Sequence, residues 1–202
     1  MLKKIKINYL FFFILFFYCL LINAKLFANS NIVTSGKNDA KVIVKVFSSL
    51  TCPHCANFHK KIYYEMEKDF IEKGFVKFEH HGFPLDMAAF NAEKLLMCPD
   101  TMKKKMNFLN EIYESQESWA VGSDINIINN KLAKIAKNYD LNDDKIKSCL
   151  NSEKMEEEIL NDRIRNNKKY SITSTPTIFI NERKYEGKHN YEDFKKEIEK
   201  IL

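Results

Sequence analysis

The chain has little that would break it into pieces. Its 202 residues include five glycines and four prolines. There is no internal repeat and no low-complexity linker, which excludes repeat arrays and Pro/Gly-rich spacers. A long hydrophobic run is also missing. The run at residues 10–22 covers 13 positions, short of the about 20 that span a bilayer. An excess of one charge sign is missing too, once the N-terminus is set aside. The formal charge is +5, and Lys3, Lys4, Lys6 and Lys25 contribute four of it, leaving 5 − 4 = +1. A near-neutral remainder calls for no nucleic-acid partner, and its many Lys and Glu residues read as solvated helix faces. Cysteine is sparse, at five, and there is no second Cys-x-x-Cys.

The first 28 residues follow the layout of a secretory signal: a basic head, a short apolar run, then small residues at Ala24 and Ala28. We expect cleavage after Ala28, with retention as a membrane anchor as the alternative. Cys19 follows Tyr18 and does not read as a lipoprotein cysteine. Cleavage leaves 202 − 28 = 174 residues, the size of one domain with room for an inserted subdomain. Cys52, Cys55, Cys98 and Cys149 remain. An even count behind a secretory signal points to an oxidising compartment.

Strand character appears at 42–47, where near-continuous Val and Ile predict a buried central strand. A helix is expected from about Pro53 to Glu72, ending near Gly74. A second strand follows over about 75–80. From Pro84-Leu85-Asp86 to Tyr170 only helical patterns occur, at 86–97, 101–116, 124–139, 143–150 and 153–169. Strand character returns at Thr177-Ile178-Phe179-Ile180, turning into a hairpin toward Lys184-Tyr185-Glu186. A last helix presents Tyr191, Phe194, Ile198 and Ile201 on one face. The order predicts an α/β fold with a thioredoxin-like sheet and a helical insertion. Its parts are 1–28 signal, 29–82 and 171–202 sheet domain, and 83–170 insertion.

Cys52-Pro53-His54-Cys55 lies between the first strand and the first helix. Pro53 suits the first helical position, so Cys52 stands at the helix start. Unpaired N–H groups and the helix dipole there favour its thiolate. Cys55 is one turn away, within disulfide reach. A protonated His54 would add to the stabilisation of the thiolate. Stabilising the thiolate stabilises the reduced form and makes the disulfide an oxidant. The competing readings are a structural zinc site and a buried disulfide. Zinc would want a second ligand pair, and no metal is expected. His59, His80 and His81 read as structural, and Trp119 as core or groove wall. Thr175-Pro176 precedes a strand. It reads either as an ordinary trans proline at a strand start or as a cis peptide that brings Thr175 backbone against the cysteines.

These residues resemble the DsbA family of thiol–disulfide oxidoreductases. Phe47 through Cys55 is similar to the family's active-site stretch, including its Pro-His dipeptide. Residues 36–42 resemble the lead-in to it, Phe83-Pro84-Leu85 the entry to its helical domain, and Thr175-Pro176-Thr177 its cis-proline loop. The resemblance implies a cis Pro176 that serves peptide binding. It also implies a periplasmic oxidase that passes its Cys52–Cys55 disulfide to reduced, unfolded exported proteins and is recharged by a membrane reoxidase. No cofactor beyond that disulfide is implied, and we expect a monomer. An isomerase or reductase of the same fold, or a chaperone-like module, are the alternatives. The sequence departs from the family in one place: Val46 stands where a buried acid often lies, six residues before Cys52. Cys98 and Cys149 are read as a structural disulfide in an oxidising compartment, with two buried free thiols as the alternative.

Overall fold

In a computed structural model of the protein, residues 32–202 are described. The expected signal segment, its cleavage point after Ala28 and Cys19 lie outside the described residues. Strand β1 is Ile32–Ser35, β2 Val42–Ser48, β3 Val76–Gly82, β4 Thr177–Ile180 and β5 Arg183–Lys184. They form one sheet in the order β1-β3-β2-β4-β5, so the apolar strand expected at 42–47 is its centre. β2 runs parallel to β3 and antiparallel to β4.

Alternation along a strand sends neighbouring side chains to opposite faces. Val42, Val44 and Val46 therefore share one face of β2, and all three are buried. The register sets Val44 beside Phe78 and Ile180, and Val46 beside His80 and Ile178. Each such aliphatic or aromatic side chain contributes about 1.5–3 kcal/mol when fully buried. Lys45 points to the other face, as expected, where it pairs with Glu182 and lies over the Tyr170 ring. Phe47, on that same face, packs with Phe83, Ile172 and Phe179 in a smaller cluster.

The expected helix after the cysteine motif is less regular than its pattern suggested. It begins as α1 (Pro53–Phe58) and passes through two π-helical turns, His59–Tyr63 and Glu67–Ile71, separated by a short α turn at Tyr64–Met66. The wider turns bring His59 and Tyr63 inward together, stacked at 4.4 Å between ring centroids. Gly74, at φ +81°, ends the segment.

Between residues 87 and 170 the regular structure is helical: α2 (Met87–Leu96), α3 (Met102–Glu114), α4 (Gln116–Trp119), α5 (Ile125–Ala136), α6 (Asp143–Leu150) and α7 (Glu153–Tyr170). All of these helices but α4 are capped at their starts by local side chains: Asp86 on Ala89, Thr101 on Lys104, Asp124 on Asn126, Asn142 on Lys145 and Ser152 on Met155. Such caps satisfy otherwise orphaned N–H groups at helix starts. Helix α8 (Tyr191–Glu199) closes the chain, burying Phe194 and Ile198. Phe194 meets Phe58 edge-on at 5.8 Å, which fixes the far end of α1.

Two differences from the sequence reading have physical causes. The polar stretch 29–41 contains β1, held by antiparallel pairing with β3 and by complete burial of Val33. β3 extends past His80 to Gly82, because Phe47 and Ser48 of β2 continue the ladder beside His81 and Gly82.

Candidate active site

The site forms where β2 ends. After Ser48 the chain turns so that the Cys52 N–H donates to the Ser49 carbonyl at 3.1 Å. Cys52 is extended, with φ −76° and ψ 120°, and caps α1, with Pro53 following as the first helical residue. The Cys52 carbonyl then accepts from the N–H groups of Cys55 and Ala56, both at 3.1 Å. Cys52 is half-buried and Cys55 buried, and both carry free thiols.

Their acidities diverge. The Cys52 thiol is lowered from 9.0 to about 5, chiefly by a hydrogen bond from Cys55. The Thr175 side chain and the backbone N–H groups of Cys55 and His54 add to this, against partial burial. Cys55 moves the opposite way, pushed far above the ordinary range by burial first and by the neighbouring Cys52 second. His54 reaches Cys52 through its backbone N–H, while its imidazole is exposed.

Thr175 closes the other side. The Thr175–Pro176 peptide bond is cis, and in its thiol form Cys52 donates from Sγ to the Thr175 carbonyl at 3.4 Å. Residues 123 positions apart thus share one site. Val46 lies below, buried, with His80 beside it on β3.

Several contributors were not visible in the sequence. Gln116, at the start of α4, donates from Nε2 to the carbonyls of Leu50 (2.7 Å) and Cys52 (3.1 Å). Thr51 donates to Asp86 at 2.6 Å, and the Leu85 N–H donates to the Ser49 hydroxyl at 3.3 Å. Glutamine, threonine and aspartate in such positions ordinarily read as surface residues, so no local signal marked them. Trp119 is fully buried and donates to the Ile112 carbonyl at 2.8 Å. His59 is buried and neutral, its pKa lowered to about 3 by burial; its Nε2 donates to Asn110 at 2.8 Å.

Cys98 and Cys149 are joined by a disulfide, with Cα atoms 6.4 Å apart, linking the end of α2 to α6. Lys94 reinforces the same junction. Its ammonium is buried and donates to the Leu150 carbonyl at 2.9 Å and to Glu156 at 3.0 Å. Among the described residues, no cluster of three or more His, Cys, Asp or Glu side chains is arranged to hold a metal ion.

The chain has counterparts among known proteins. A family model described as thioredoxin matches residues 28–200. Disulfide bond formation protein D of Bacillus subtilis is 29% identical over 177 residues, covering 83% of this chain and 75% of that protein. A protein named as a protein-disulfide oxidoreductase in Rickettsia typhi is 27% identical over 153 residues, covering 76% of this chain, which spans 55% of that relative's length. Among solved structures, alpha-DsbA1 of Wolbachia pipientis superposes with a TM-score of 0.77 at 27% identity, over 89% of this chain and 94% of that one. Oxidised BdbD of Bacillus subtilis gives 0.75 at 26% identity, over 85% and 92%.

Proposed function

This chain belongs to the thioredoxin family as a protein-disulfide oxidoreductase of the DsbA type, and on that premise we propose that it donates disulfides to exported proteins through Cys52 and Cys55. The observation that carries the direction is the split between the two thiols. Cys52 is held as a thiolate at neutral pH and Cys55 as a buried thiol. A fold that stabilises the reduced pair makes the oxidised pair an electron acceptor.

The steps follow from that split. A substrate thiolate attacks Cys52 Sγ of the Cys52–Cys55 disulfide. That bond breaks, and Cys55 leaves with its electron pair and takes up a proton. A second substrate thiolate then attacks the substrate sulfur of the mixed disulfide, and Cys52 leaves as a thiolate. A leaving thiol of low pKa departs faster than an ordinary one. The Thr175 backbone, beside Cys52, offers an edge against which an extended substrate segment can pair. Pro53 and His54 set the helix start and its N–H groups.

We assign residues 29–82 and 171–202 to the thioredoxin-like part and 83–170 to an inserted helical part that walls the site with Gln116 and Asp86. The chain acts as a monomer in an exported, oxidising compartment such as the periplasm. The signal-like residues 1–28 and the Cys98–Cys149 disulfide support this, since disulfides persist where reductants are scarce. The disulfide's role is structural. A membrane reoxidase restores Cys52–Cys55 after each cycle.

The test is the Cys52–Cys55 reduction potential, measured by equilibration with glutathione, together with oxidation of a reduced unfolded substrate. An oxidase gives a potential well above the about −270 mV of thioredoxin and loses activity in Cys52→Ala. A potential near that of thioredoxin would make the chain a reductant or isomerase. No exchange at all would leave a chaperone-like module.

A further inference from the structure

Bonds from the helical insertion converge on residues 49–52, the turn that ends in Cys52. The Leu85 N–H donates to the Ser49 hydroxyl, and the Thr51 hydroxyl donates to Asp86. Both of these hold side chains. Gln116 holds the backbone itself, from Nε2 to the carbonyls of Leu50 at 2.7 Å and Cys52 at 3.1 Å. Gln116 is 5% exposed. A primary amide carries two N–H donors, and leaving a buried donor unmatched is costly. Here the donors are spent on the two carbonyls that flank the turn.

The amide is presented rigidly. It stands on α4, a single turn of helix, Gln116–Trp119. That turn is pinned at its far end by Trp119, fully buried, whose ring N–H donates to the Ile112 carbonyl at 2.8 Å. Lys131 of α5 donates to the Ser118 carbonyl at 2.8 Å. The Gln116 carbonyl accepts from the Ala120 N–H at 2.9 Å. A side chain on so fixed a support holds its partners in one place.

The Cys52 carbonyl accepts from three donors: the N–H groups of Cys55 and Ala56 and the Gln116 amide. Holding that carbonyl keeps the first turn of α1 closed, and with it the N–H groups that favour an anion at the helix start. A carbonyl oxygen is also the negative end of a dipole. Left bare beside a thiolate, it would oppose the charge. A donor laid on it offsets that effect.

We propose that Gln116 is a positioning residue for disulfide exchange: from the helical insertion it fixes the Leu50 and Cys52 carbonyls, so that the turn presents Cys52 Sγ as a stabilised thiolate. This role rests on the oxidoreductase reading above. The amide takes no proton and forms no bond to sulfur, and the bonds made and broken in exchange are unchanged. Its effect is on the balance between the two redox forms. Without the donors the thiolate is less favoured, the reduced pair is less stable, and the disulfide is a weaker oxidant. The inserted helices then act on the redox centre through one side chain.

The test uses the whole chain with Gln116→Met, which keeps the length and removes both donors. Gln116→Glu keeps the shape and offers at most one donor. Two readouts are needed, the Cys52 thiolate absorbance against pH and the equilibrium with glutathione. An amide that only glues α4 to the turn would lower unfolding stability and leave both readouts where they are. We expect the titration midpoint to rise by about half a pH unit or more. The equilibrium constant for reduction of Cys52–Cys55 by glutathione should fall about threefold or more, the size of losing a neutral hydrogen bond. The charged and titratable groups around the turn are His54 and Cys55 on α1, Asp86 ahead of α2, Tyr113 on α3 and Glu117 on α4. Both variants leave them in place, so the midpoint reports position 116. Smaller changes in both readouts, in variants folded by circular dichroism, would overturn the role of Gln116. If Gln116→Met does not fold, Gln116→Glu decides alone. A wild type that does not exchange with glutathione would instead overturn the oxidoreductase reading on which the role stands.

Discussion

The hydroxyl of Thr51 donates to one carboxylate oxygen of Asp86 at 2.6 Å, while the other oxygen accepts from the Ala89 N–H at 2.7 Å. One carboxylate thus caps α2 and holds the turn that precedes Cys52. Two helix starts, 35 residues apart in sequence, are fastened together by a single side chain.

Asp86→Ala removes both bonds. We expect it to lower the unfolding free energy by about 1–2 kcal/mol, the range for losing a helix cap. Urea unfolding at neutral pH measures it. Asn at position 86 can still accept from Ala89 and should recover most of the loss.

Cys52 is an acid whose folded pKa, about 5, lies below its ordinary 9.0. The sign follows from linkage: the reduced folded chain binds fewer protons than the unfolded one between those values. Its stabilisation by Cys52 is therefore complete above about pH 9 and is lost as pH falls through about 5. Titration of the thiolate's ultraviolet absorbance should show a midpoint near 5, absent in Cys52→Ala. Reduced wild type and Cys52→Ala should converge in stability at acid pH. A midpoint near 9 would remove the basis for an oxidising disulfide.

The Cys98–Cys149 bond closes a loop across 51 residues. Replacing both cysteines by alanine is expected to cost about 4 kcal/mol, by loss of the entropic constraint on the unfolded chain. Denaturant unfolding of wild type and the double variant measures this. The Cys52 titration midpoint should stay where it is, because the bond ties α2 to α6, whereas the Cys52 thiolate is held by Cys55, Thr175 and His54.

Gly82→Ala places a methyl carbon at 2.5 Å from the Glu93 carboxyl. Overpacking of this kind costs about 1–3 kcal/mol. Thermal unfolding should show the loss. Pairing the change with Glu93→Ala should restore part of it, because the smaller side chain makes room for the methyl.

Much of the fold was legible because it rests on local patterns. The Val-rich run at 42–47 marked the central strand, since a strand covered on both faces can be apolar throughout. Pro53 after Cys52 marked the helix start, because proline loses nothing at a position whose N–H has no partner. Five helices of the 87–170 segment were visible from their periodicity, but the single turn Gln116–Trp119 was not, being too short to show a period. β1 was not, because Ile32-Val33-Thr34-Ser35 carries too few apolar residues to stand out before β3 pairs with it. The π-helical turns at 59–63 and 67–71 were hidden as well, because a π turn leaves the helical composition intact.

The chemistry is written into one short stretch of chain: two thiols one helical turn apart, the first at a helix start where N–H groups favour its anion. That much depends on neighbours within four residues, and short-range geometry is the same wherever the segment lies. What surrounds those thiols is set by the folding together of distant segments. Thr175 arrives from 123 residues away, Gln116 from 64, and His80 and Glu93 meet because β3 and α2 pack behind the same turn. Glu93 alone reads as a solvated helix residue and His80 as one of two adjacent histidines. Their pairing depends on burial, on the register that sets His80 beside Val46, and on the missing side chain of Gly82. Those are properties of packing, and no local pattern encodes them.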